Sequence, residues 1–537
     1  MIQQGGLEQN MADSPKQMLA LRKHKSTRER LLRNLSNVND FGTLKILWAV
    51  NALQSDNPPD VSPFLAYPDS AAGARLGNNQ FMPKWELENL LLLLLSTPKT
   101  LSNRVAPEET YRKFDTARIL INLLKAAEAA EETRLIDNSN ILNFMQKLGH
   151  KQFAWQRGFF SIERMYRYYY VYGQGNCASY FEAQHGLTMD EFAMSCLALH
   201  VQTFRLPWNK PPDASALKPM RPEAIGLTLD LISKELTDQR SEAQARIHEL
   251  TQNSEWRVSY LPSTLRFHPI ISSSLMDRYI APLPQLIMFR ATSGLYYDLV
   301  SGPQSLIAEA TDRFEAYGKK LIEARCPRFS VMRESEYGPK LTRARTPDLL
   351  LKDEGTIKVV FECKATKLTF AAQYADDPLA QAPKGFSQIA KGMSQLWKFF
   401  SRARRRIYSD ETVAPDAYGV VLTMDSWFHL EDNQLPALRA EAEALLVNEP
   451  DMLPEDKRDV IFCSIGELDD LLAVSTEDEV LETLAKTRLP EFRAWQLTTI
   501  RNPEYALTLP ARKFPFKVGE VIPLWGAMHK ANGREDT

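Results

Sequence analysis

The feature that most constrains the fold is a run of β-forming residues that ends in two charged side chains. Residues 357–361 are Ile-Lys-Val-Val-Phe, and Glu362-Cys363-Lys364 follow directly. Upstream, Asp348 precedes three leucines, and the residues 352–356 form a polar stretch between the two apolar runs. Two such runs joined by a short polar turn predict a β-hairpin. The hairpin would bring two carboxylates and one lysine to the same end.

Strand geometry gives this tripeptide a defined orientation. Successive side chains of a strand point to opposite faces, so Glu362 and Lys364 share one face and Cys363 takes the other. The backbone carbonyl of Cys363 can then act as a further metal ligand beside Asp348 and Glu362. Two carboxylates can hold Mg²⁺, and a neighbouring lysine can orient or activate a water molecule. A surface hairpin with ordinary charges is the alternative interpretation.

These short patterns take their meaning from their surroundings. Six Pro-Asp pairs occur in the chain, so Pro347-Asp348 has little weight by itself. A second Glu-x-Lys occurs at Glu455-Asp456-Lys457, but that segment is polar and typical of a turn. Only the first Glu-x-Lys ends a run of β-formers, and it is therefore the candidate site.

Helices are predicted on both sides of the hairpin. Residues 305–324 carry apolar side chains at helical spacing, and Glu315 lies beside this stripe among small residues. Residues 384–406 carry a second apolar stripe and a separate polar, basic face. That face contains Gln388, Lys391, Gln395, Lys398 and Arg402, and Arg404-Arg405-Arg406 closes the helix.

Asp348 and the Glu362-Cys363-Lys364 tripeptide, in this order of elements, resemble the PD-(D/E)xK nuclease superfamily, whose domains have the restriction-endonuclease-like fold. The resemblance covers residues 301–473, roughly a third of the chain. It implies a central mixed sheet flanked by helices. It also implies that Asp348 and Glu362 hold Mg²⁺, with Mn²⁺ as an alternative ion, and that Lys364 acts on the attacking water.

The flanking helices add residues to this implied site. The segment at residues 313–317, Arg-Phe-Glu-Ala-Tyr, resembles the first helix of many such domains, in which a glutamate joins the metal site directly or through water. The resemblance therefore implies that Glu315 is an auxiliary metal ligand. The alternative interpretation is a solvated glutamate on the helix surface. In the superfamily, the helix after the catalytic strand often lends a glutamine or lysine to the site. Gln388 is the candidate here and Lys391 is the second, unless both belong to an ordinary solvated face.

Local charge favours a polyanionic substrate. The whole chain has a formal net charge of −2, so it is not a polycation. Residues 310–410 nevertheless contain 20 Lys and Arg against 12 Asp and Glu, a net charge of +8. Phosphate contacts from such a patch give affinity and salt dependence without sequence information. The predicted nucleic-acid contacts are Lys391, Lys398, Arg402, Arg404 and Arg405, and the resemblance favours DNA over RNA.

The whole chain predicts a multidomain α+β protein. At 537 residues it is too long for one ordinary domain. Residues 1–256 have a mostly α-helical pattern, and residues 257–300 are predicted to be a lead-in of short strands and turns. Residues 301–475 are the predicted nuclease-like α/β domain, and residues 476–537 are a C-terminal extension.

Three features of the helical region permit two interpretations each. The basic residues within 16–34 could contact phosphates or form a solvated helix face. The aromatic and arginine residues within 159–172 could stack on bases or belong to a helical core. Residues 180–200 have a helix-turn-helix outline, which is also common in ordinary helical domains. We expect the helical region to recognise a nucleic-acid structure, a protein partner or a second copy of the chain.

Cysteine usage and hydropathy favour a cytoplasmic protein. The five cysteines are far apart and include no CxxC pair, which argues against a zinc ribbon and a disulfide framework. The most apolar run, residues 90–95, is far shorter than the roughly 20 residues of a membrane span and predicts a buried helix. The first residues have no signal-peptide pattern. No membrane partner is expected.

These patterns together predict a Mg²⁺-dependent nuclease that hydrolyses phosphodiester bonds, with DNA as the expected substrate. The chain has no GxxxxGK[ST], HExxH or GxSxG pattern, which disfavours an ATPase, a zinc protease and a serine hydrolase. A role in bacterial defence against phage or foreign DNA, or in DNA repair, follows only by analogy. The alternative is a catalytically inactive nuclease fold that binds DNA or acts as a scaffold with a partner.

Overall fold

The computed structural model describes residues 15–100, 108–135, 141–212, 218–251, 260, 263–340, 343–375, 377–427, 434–492, 495–502 and 509–531. The helices are α1 (Pro15–Asn37), α2 (Asp40–Leu53), α3 (Lys84–Ser96), α4 (Phe114–Leu135), α5 (Ile141–Arg157), α6 (Ile162–Tyr172), α7 (Gly175–His185), α8 (Met189–Arg205), α9 (Ala224–Ile232), α10 (Leu236–Thr251), α11 (Gln285–Ala291), α12 (Leu295–Val300), α13 (Gln304–Arg325), α14 (Phe370–Tyr374), α15 (Pro378–Gln381), α16 (Pro383–Arg404), α17 (Gln434–Ala444), α18 (Ile465–Val474), α19 (Glu477–Lys486), α20 (Leu497–Arg501) and α21 (Pro523–Ala531). The strands are β1 (Ser233–Glu235), β2 (Ile270–Ser273), β3 (Arg278–Ile280), β4 (Ser330–Arg333), β5 (Glu336–Tyr337), β6 (Ala344–Arg345), β7 (Leu349–Asp353), β8 (Thr356–Lys364), β9 (Thr412–Thr423) and β10 (Val460–Ser464).

The chain divides into two compact units, neither of which is continuous in sequence. Unit 1 contains residues 1–144, 199–211 and 232–287, and unit 2 contains residues 145–198, 212–231 and 288–537. This division differs from the predicted sequential boundaries at residues 256, 300 and 475. Part of the helical region belongs to unit 2 because α6 and α7 pack against α13. Composition along the chain carries no signal of such a long-range contact.

Unit 1 is mainly helical. The leucines at residues 90–95 lie in α3 and are fully buried, as expected for a buried helix. In α1, which packs against α4, Leu31 and Leu35 are buried while Arg30 and Arg33 are exposed. The described part of this basic segment is therefore an amphipathic helix. None of the helices in the described ranges combines the length and the apolar character of a membrane span.

The predicted lead-in, residues 257–300, consists only partly of strands and turns. In unit 1, β2 pairs in parallel with β1 and antiparallel with β3. The expectation of strands and turns is wrong for the rest, which contains α11 and α12. In α12, Leu295 and Leu299 are buried at a spacing of four residues, and that spacing favours a helix over the alternation of a strand.

Unit 2 contains a five-stranded mixed sheet in the order β10-β9-β8-β7-β4. β4, β7 and β8 are antiparallel neighbours, whereas β8, β9 and β10 run parallel. β7 and β8 form the predicted hairpin. The predicted α+β fold class is confirmed, with a helical N-terminal part and a mixed sheet in the C-terminal part.

Helices cover both faces of this sheet because neighbouring strand residues point to opposite sides. Leu350, Val360 and Val421 belong to the core cluster that contains the apolar stripe of α16. On the opposite face, a Cβ atom added to Gly318 of α13 would lie 3.1 Å from Leu349. The absence of a side chain at residue 318 lets α13 approach the sheet closely, and this contact fixes the position of Glu315 one turn earlier.

The aromatic segment of α6 belongs to the core of unit 2. Tyr166, Tyr168, Tyr169 and Tyr172 are each at most 1% exposed. The ring of Tyr166 lies 6.2 Å from that of Tyr317 in α13. Because these rings are buried, the interpretation as a helical core is confirmed for them, and base stacking on the same rings is excluded in this fold.

Two further segments are helical. The helix-turn-helix outline corresponds to α7 and α8, joined at Gly186, whose φ of +66° suits glycine. Phe181 and Phe192 from the two helices are buried with their rings 5.2 Å apart, so this pair packs through its own core. In the predicted C-terminal extension, α19, α20 and α21 are helices.

Candidate active site

The hairpin places Asp348 next to the end of β8. Leu349, the first residue of β7, pairs with Phe361 of β8. By continuation of this register, Asp348 lies opposite Glu362 and one position from Cys363, and its Oδ2 accepts a hydrogen bond of 2.6 Å from the Cys363 backbone N–H. This bond fixes the Asp348 carboxylate at the carboxyl end of the central strand.

Glu362 and Lys364 share one face of β8, as the alternation predicts. Nζ of Lys364 lies 2.7 Å from Oε1 of Glu362, and their side chains are only 12% and 2% exposed. Gly392 of α16 covers them: a Cβ atom at that position would lie 3.1 Å from Cε of Lys364 and 3.2 Å from Cγ of Glu362. A side chain at this position would be in tight contact with both site residues and would have to displace them by a few tenths of an ångström.

Burial sets the protonation of these groups. It raises the pKa of Glu362 to about 8, although the Lys364 ammonium opposes the rise. It also raises the pKa of Asp348, against the opposing charge of Lys364. For Lys364, burial lowers the pKa, but the carboxylates of Glu362 and Asp348 outweigh it and the net pKa is raised. Lys364 is thus an ammonium at neutral pH, while Glu362 holds a proton up to about pH 8.

Glu315 lies close enough to this pair to interact with it electrostatically. Burial and the charge of Asp348 raise the pKa of Glu315 to about 7. Its Oε2 accepts a hydrogen bond of 2.9 Å from Arg333 of β4, which also pairs with Asp312. Glu315 is therefore part of the same charged group, with its carboxylate held by an arginine.

The oxygen donors at this end of the sheet suit a hard divalent cation. Oε2 of Glu362 is buried and has no hydrogen-bond partner, an arrangement that is costly for an acceptor. Within the described ranges, no three His, Cys, Asp or Glu side chains are grouped to hold an ion by themselves. Mg²⁺, however, commonly binds one or two carboxylates and completes its shell with water and substrate phosphate. Asp348 and Glu362 fit that mode, whereas Glu315 is engaged with Arg333.

The other predicted site residues lie at varying distances from this centre. The Cys363 side chain is buried, and burial raises the pKa of its thiol well above the ordinary value, so this residue can offer only its backbone carbonyl. Gln388 of α16 is exposed. Gln395, one turn beyond Gly392, has a buried Oε1 without a partner and is a further candidate on the same polar face.

The predicted phosphate contacts divide into two groups. Lys391 is exposed and Lys398 is half-buried, and neither forms an ion pair within the described part of the chain. Arg402 and Arg405 both pair with Glu449, at 2.7 Å each, and Arg404 pairs with Asp456 at 2.7 Å. These three arginines tie the end of α16 to residues 449–456, which reduces their availability to phosphate.

Sequence reasoning missed a second charged group beside the site. Nζ of Lys367 lies 2.5 Å from Oδ2 of Asp425 and donates to the carbonyl of Ser293 at 3.0 Å. The Tyr168 hydroxyl donates to the other oxygen of Asp425. Lys367 lies three residues after Lys364, and Asp425 lies two residues after Thr423, which pairs with Lys364. The sequence signal that could have predicted this ion pair is a charged residue shortly after each of two neighbouring parallel strands.

No protein-family model, curated protein or solved structure matches the chain. The interpretation of this site therefore depends on its own residues and their geometry.

Proposed function

We propose that this protein is a Mg²⁺-dependent nuclease that hydrolyses phosphodiester bonds, with DNA as its main substrate. The observation that carries the proposal is the group formed by Asp348, Glu362 and Lys364 at the carboxyl end of β8. Hydrolysis of a phosphodiester requires a positioned water molecule and stabilisation of the negative charge that develops at phosphorus. Buried carboxylates beside an ammonium group meet both requirements.

Asp348 and Glu362, with the backbone carbonyl of Cys363, would hold the ion. When bound, Mg²⁺ supplies a Lewis acid that polarises the phosphoryl oxygen and acidifies a bound water molecule. Mn²⁺ suits the same oxygen donors. The Cys363 N–H keeps Asp348 in place for this role through the 2.6 Å hydrogen bond.

Lys364 provides the positive charge next to the reacting group. Because its pKa is raised, it acts as a cationic hydrogen-bond donor rather than as a base. In a water-poor site such a donor stabilises developing negative charge strongly. Glu315, whose pKa of about 7 is near the physiological pH, is suited to accept a proton, directly or through water.

A stripe of lysines on α16 supports binding of a phosphate backbone. Lys384, Lys391 and Lys398 are seven residues apart and therefore lie on one side of the helix. Within the described residues, none of the three has a carboxylate within ion-pair distance, and the first two are exposed. The stripe runs beside Gly392, which covers the site. Phosphate binding by this stripe predicts a strong dependence of affinity on salt concentration.

The test is a cleavage assay on plasmid, single-stranded DNA and RNA in Mg²⁺ or Mn²⁺. We expect wild type to cleave DNA and the Asp348→Ala and Lys364→Ala variants to lose at least about a hundredfold in rate, as for other groups that stabilise a charged transition state. Glu455→Gln is the matched control, because this exposed carboxylate belongs to the second Glu-x-Lys. Its cleavage rate should equal that of wild type.

Other outcomes would change the assignment. DNA binding without cleavage under every condition would favour the catalytically inactive, DNA-binding alternative. Cleavage that persists in both site variants would show that the reacting residues lie elsewhere. A preference for RNA would keep the chemistry and change the substrate.

The cellular context belongs to the same proposal. We place the protein in the cytoplasm, where five buried cysteines without disulfides are stable. Defence against foreign DNA or DNA repair, with a partner or a second copy bound through the helical region, is the context in which such a nuclease would act. Salt-dependent retention of DNA by the wild-type protein, and its loss in a variant with Gln at residues 384, 391 and 398, would support DNA as the polyanion that the lysine stripe binds.

A further inference from the structure

Unit 2 contains a cavity on the parallel side of its sheet. It has a volume of about 440 Å³ and lies beside β10, lined by residues of α16 and α17 and by residues within 487–492 and 495–500. β10 is the edge strand of the sheet, and its five residues all line the cavity. The volume lies within the range typical of small-ligand sites. None of Glu315, Asp348, Glu362 and Lys364 lines it.

Aromatic rings form much of its wall. Trp427, Phe462, Phe492 and Trp495 line the cavity, as does Trp397 of α16, which is fully buried, whereas Trp495 is 46% exposed. The Trp427 indole is 5% exposed, and its Nε1–H is buried without a hydrogen-bond partner. Indole rings stack on planar aromatic ligands, and a buried donor without a partner is costly unless a ligand accepts from it. The wall is thus suited to a flat ring that carries hydrogen-bond acceptors.

Two neighbouring arginines line the cavity, and their guanidinium groups lie over aromatic rings, Arg458 over Phe400 at 4.0 Å and Arg488 over Tyr418 at 4.2 Å. Arg458 and Arg488 both donate to the backbone carbonyl of Ala417, at 2.8 and 3.3 Å. Burial lowers the pKa of Arg458, and the charge of Arg488 lowers it further. Within the described ranges, neither guanidinium forms an ion pair with a carboxylate. Neighbouring guanidinium groups without carboxylate partners commonly bind phosphate in proteins.

Two carboxylates also line the cavity, and one of them, Asp459, pairs with the lining Arg439 at 3.5 Å. Glu467 of α18 lines the cavity, and its Oε1 accepts a hydrogen bond of 2.8 Å from the Leu497 N–H. A carboxylate in a ligand cavity can accept the exocyclic amino group of a nucleobase. The cavity therefore combines a stacking surface, an acceptor for an amino group and a double positive charge.

We propose that this cavity binds a nucleoside monophosphate, with its base against Trp427 and Trp495 and its phosphate on Arg458 and Arg488. Of the bases, those with an exocyclic amino group fit Glu467 best. The proposal does not depend on nuclease activity, since its residues are separate from Asp348, Glu362 and Lys364.

Isothermal titration calorimetry on the full chain tests this directly, in EDTA so that no metal ion links a ligand phosphate to Asp348 and Glu362. AMP, GMP, CMP and UMP are the ligands, and adenosine, ribose 5-phosphate and inorganic phosphate are the partial ligands. We expect at least one of AMP, GMP and CMP to bind, with each partial ligand at least about tenfold weaker, because each omits one half of the contacts. No binding by any monophosphate would overturn the proposal, and so would phosphate alone binding as tightly.

Variants assign the contacts. Arg488→Gln, at an exposed residue where folding should be unaffected, and the Arg458→Gln/Arg488→Gln pair should weaken binding at least about tenfold, as expected for loss of charge-assisted hydrogen bonds. Trp427→Phe keeps a ring but removes the indole donor and should also weaken binding. Arg328→Gln, whose guanidinium pairs with Asp353 and Asp478, is the matched control. Unchanged affinity in Arg488→Gln would refute the phosphate assignment even if the double variant failed to fold.

Discussion

Replacement of Glu362 by glutamine should stabilise the metal-free protein while abolishing its activity. The carboxyl group of Glu362 is 1% exposed, and its Oε2 has no hydrogen-bond partner. Burial raises its pKa to about 8, despite the ion pair with Lys364. Above pH 4.5 the folded protein must therefore keep Glu362 protonated or bury its charge, and either costs stability that glutamine does not cost, with little change of shape.

The magnitude follows from proton linkage. The folded state holds a proton on Glu362 up to about pH 8, whereas the unfolded chain releases it near the ordinary value of 4.5. Between these values the folded protein binds more protons, so stability falls as pH rises. Each pH unit contributes about 1.4 kcal/mol, so the cost at pH 7 is about 3 kcal/mol. This figure already includes the attraction of Lys364, because the ammonium contributes to the pKa.

The assay is urea denaturation in EDTA at pH 5, 7 and 8.5, monitored by tryptophan fluorescence. Wild type and Glu362→Gln should be similar at pH 5, and the variant should be more stable by about 3 kcal/mol at pH 7, with a larger difference at pH 8.5. Addition of Mg²⁺ should stabilise wild type and leave the variant unchanged, because an ion that binds only the folded state adds stability. Glu455→Gln, an exposed matched change, should follow wild type throughout.

Two results would refute this reasoning. A difference between the proteins that does not change with pH would mean that the Glu362 carboxyl does not titrate as its burial requires. A wild-type protein that is the more stable one at pH 8.5 in EDTA would mean that the Glu362–Lys364 ion pair outweighs the burial of charge.

Three further predictions concern a close contact, a buried ion pair and an acid-sensitive carboxylate. Gly392→Ala should lower the cleavage rate about tenfold, because the added methyl group displaces the side chains of Glu362 and Lys364. Gly226→Ala is the control, since no atom lies within 4 Å of the added Cβ, and its rate should equal that of wild type. A wild-type rate in Gly392→Ala would show that the site tolerates the displacement. Asp469→Asn removes the negative charge that pairs with Arg325 at 2.8 Å and with Arg167 at 3.6 Å, and should cost about 3–5 kcal/mol in urea denaturation. Arg325→Met in the same chain should partly restore this loss, and a neutral single change would contradict the expectation. Burial opposes the ionisation of Glu242, but hydrogen bonds from His268 and Lys234 outweigh it and lower the pKa of Glu242 to about 2. The ionised carboxylate therefore adds stability above pH 4.5, and this stability disappears as the pH falls towards 2. Glu242→Gln should therefore cost about 1–2 kcal/mol at pH 7 and nothing at pH 2, since partial exposure weakens the effect; a difference that persists in acid would exclude this origin.

The hairpin and the orientation of its charged residues could be predicted because both depend on local rules. A β-forming run before Glu362-Cys363-Lys364 specifies a strand, and the alternation of side chains puts Glu362 and Lys364 together. The apolar stripes of α13 and α16 similarly determine which sides of these helices face the sheet. The 2.7 Å contact between Lys364 and Glu362 agrees with that prediction.

What could not be predicted depends on contacts between distant segments. Arg402, Arg404 and Arg405 look free in sequence, but Glu449 and Asp456 lie near them only after the chain has folded back. The tyrosines of α6 are equally ambiguous until α13 covers them. A helical stripe shows which residues share a face, but not which partner that face meets.

The charges at the site account for why protons and metal ions should compete there. Glu315, Asp348 and Glu362 supply three carboxylates, while Lys364 and Arg333 supply two cations, so full ionisation would leave a buried negative charge. Protons relieve it in the metal-free protein: burial, together with the neighbouring carboxylates, raises the pKa of Glu362 to about 8 and that of Glu315 to about 7. A divalent cation would relieve it as well and would have to displace the Glu362 proton. As pH rises towards 8, the apparent affinity for Mg²⁺ should consequently increase about tenfold per pH unit. Calorimetric titration with Mg²⁺ between pH 6 and 8 measures this increase. An affinity that does not change with pH would show that protons and the ion do not compete.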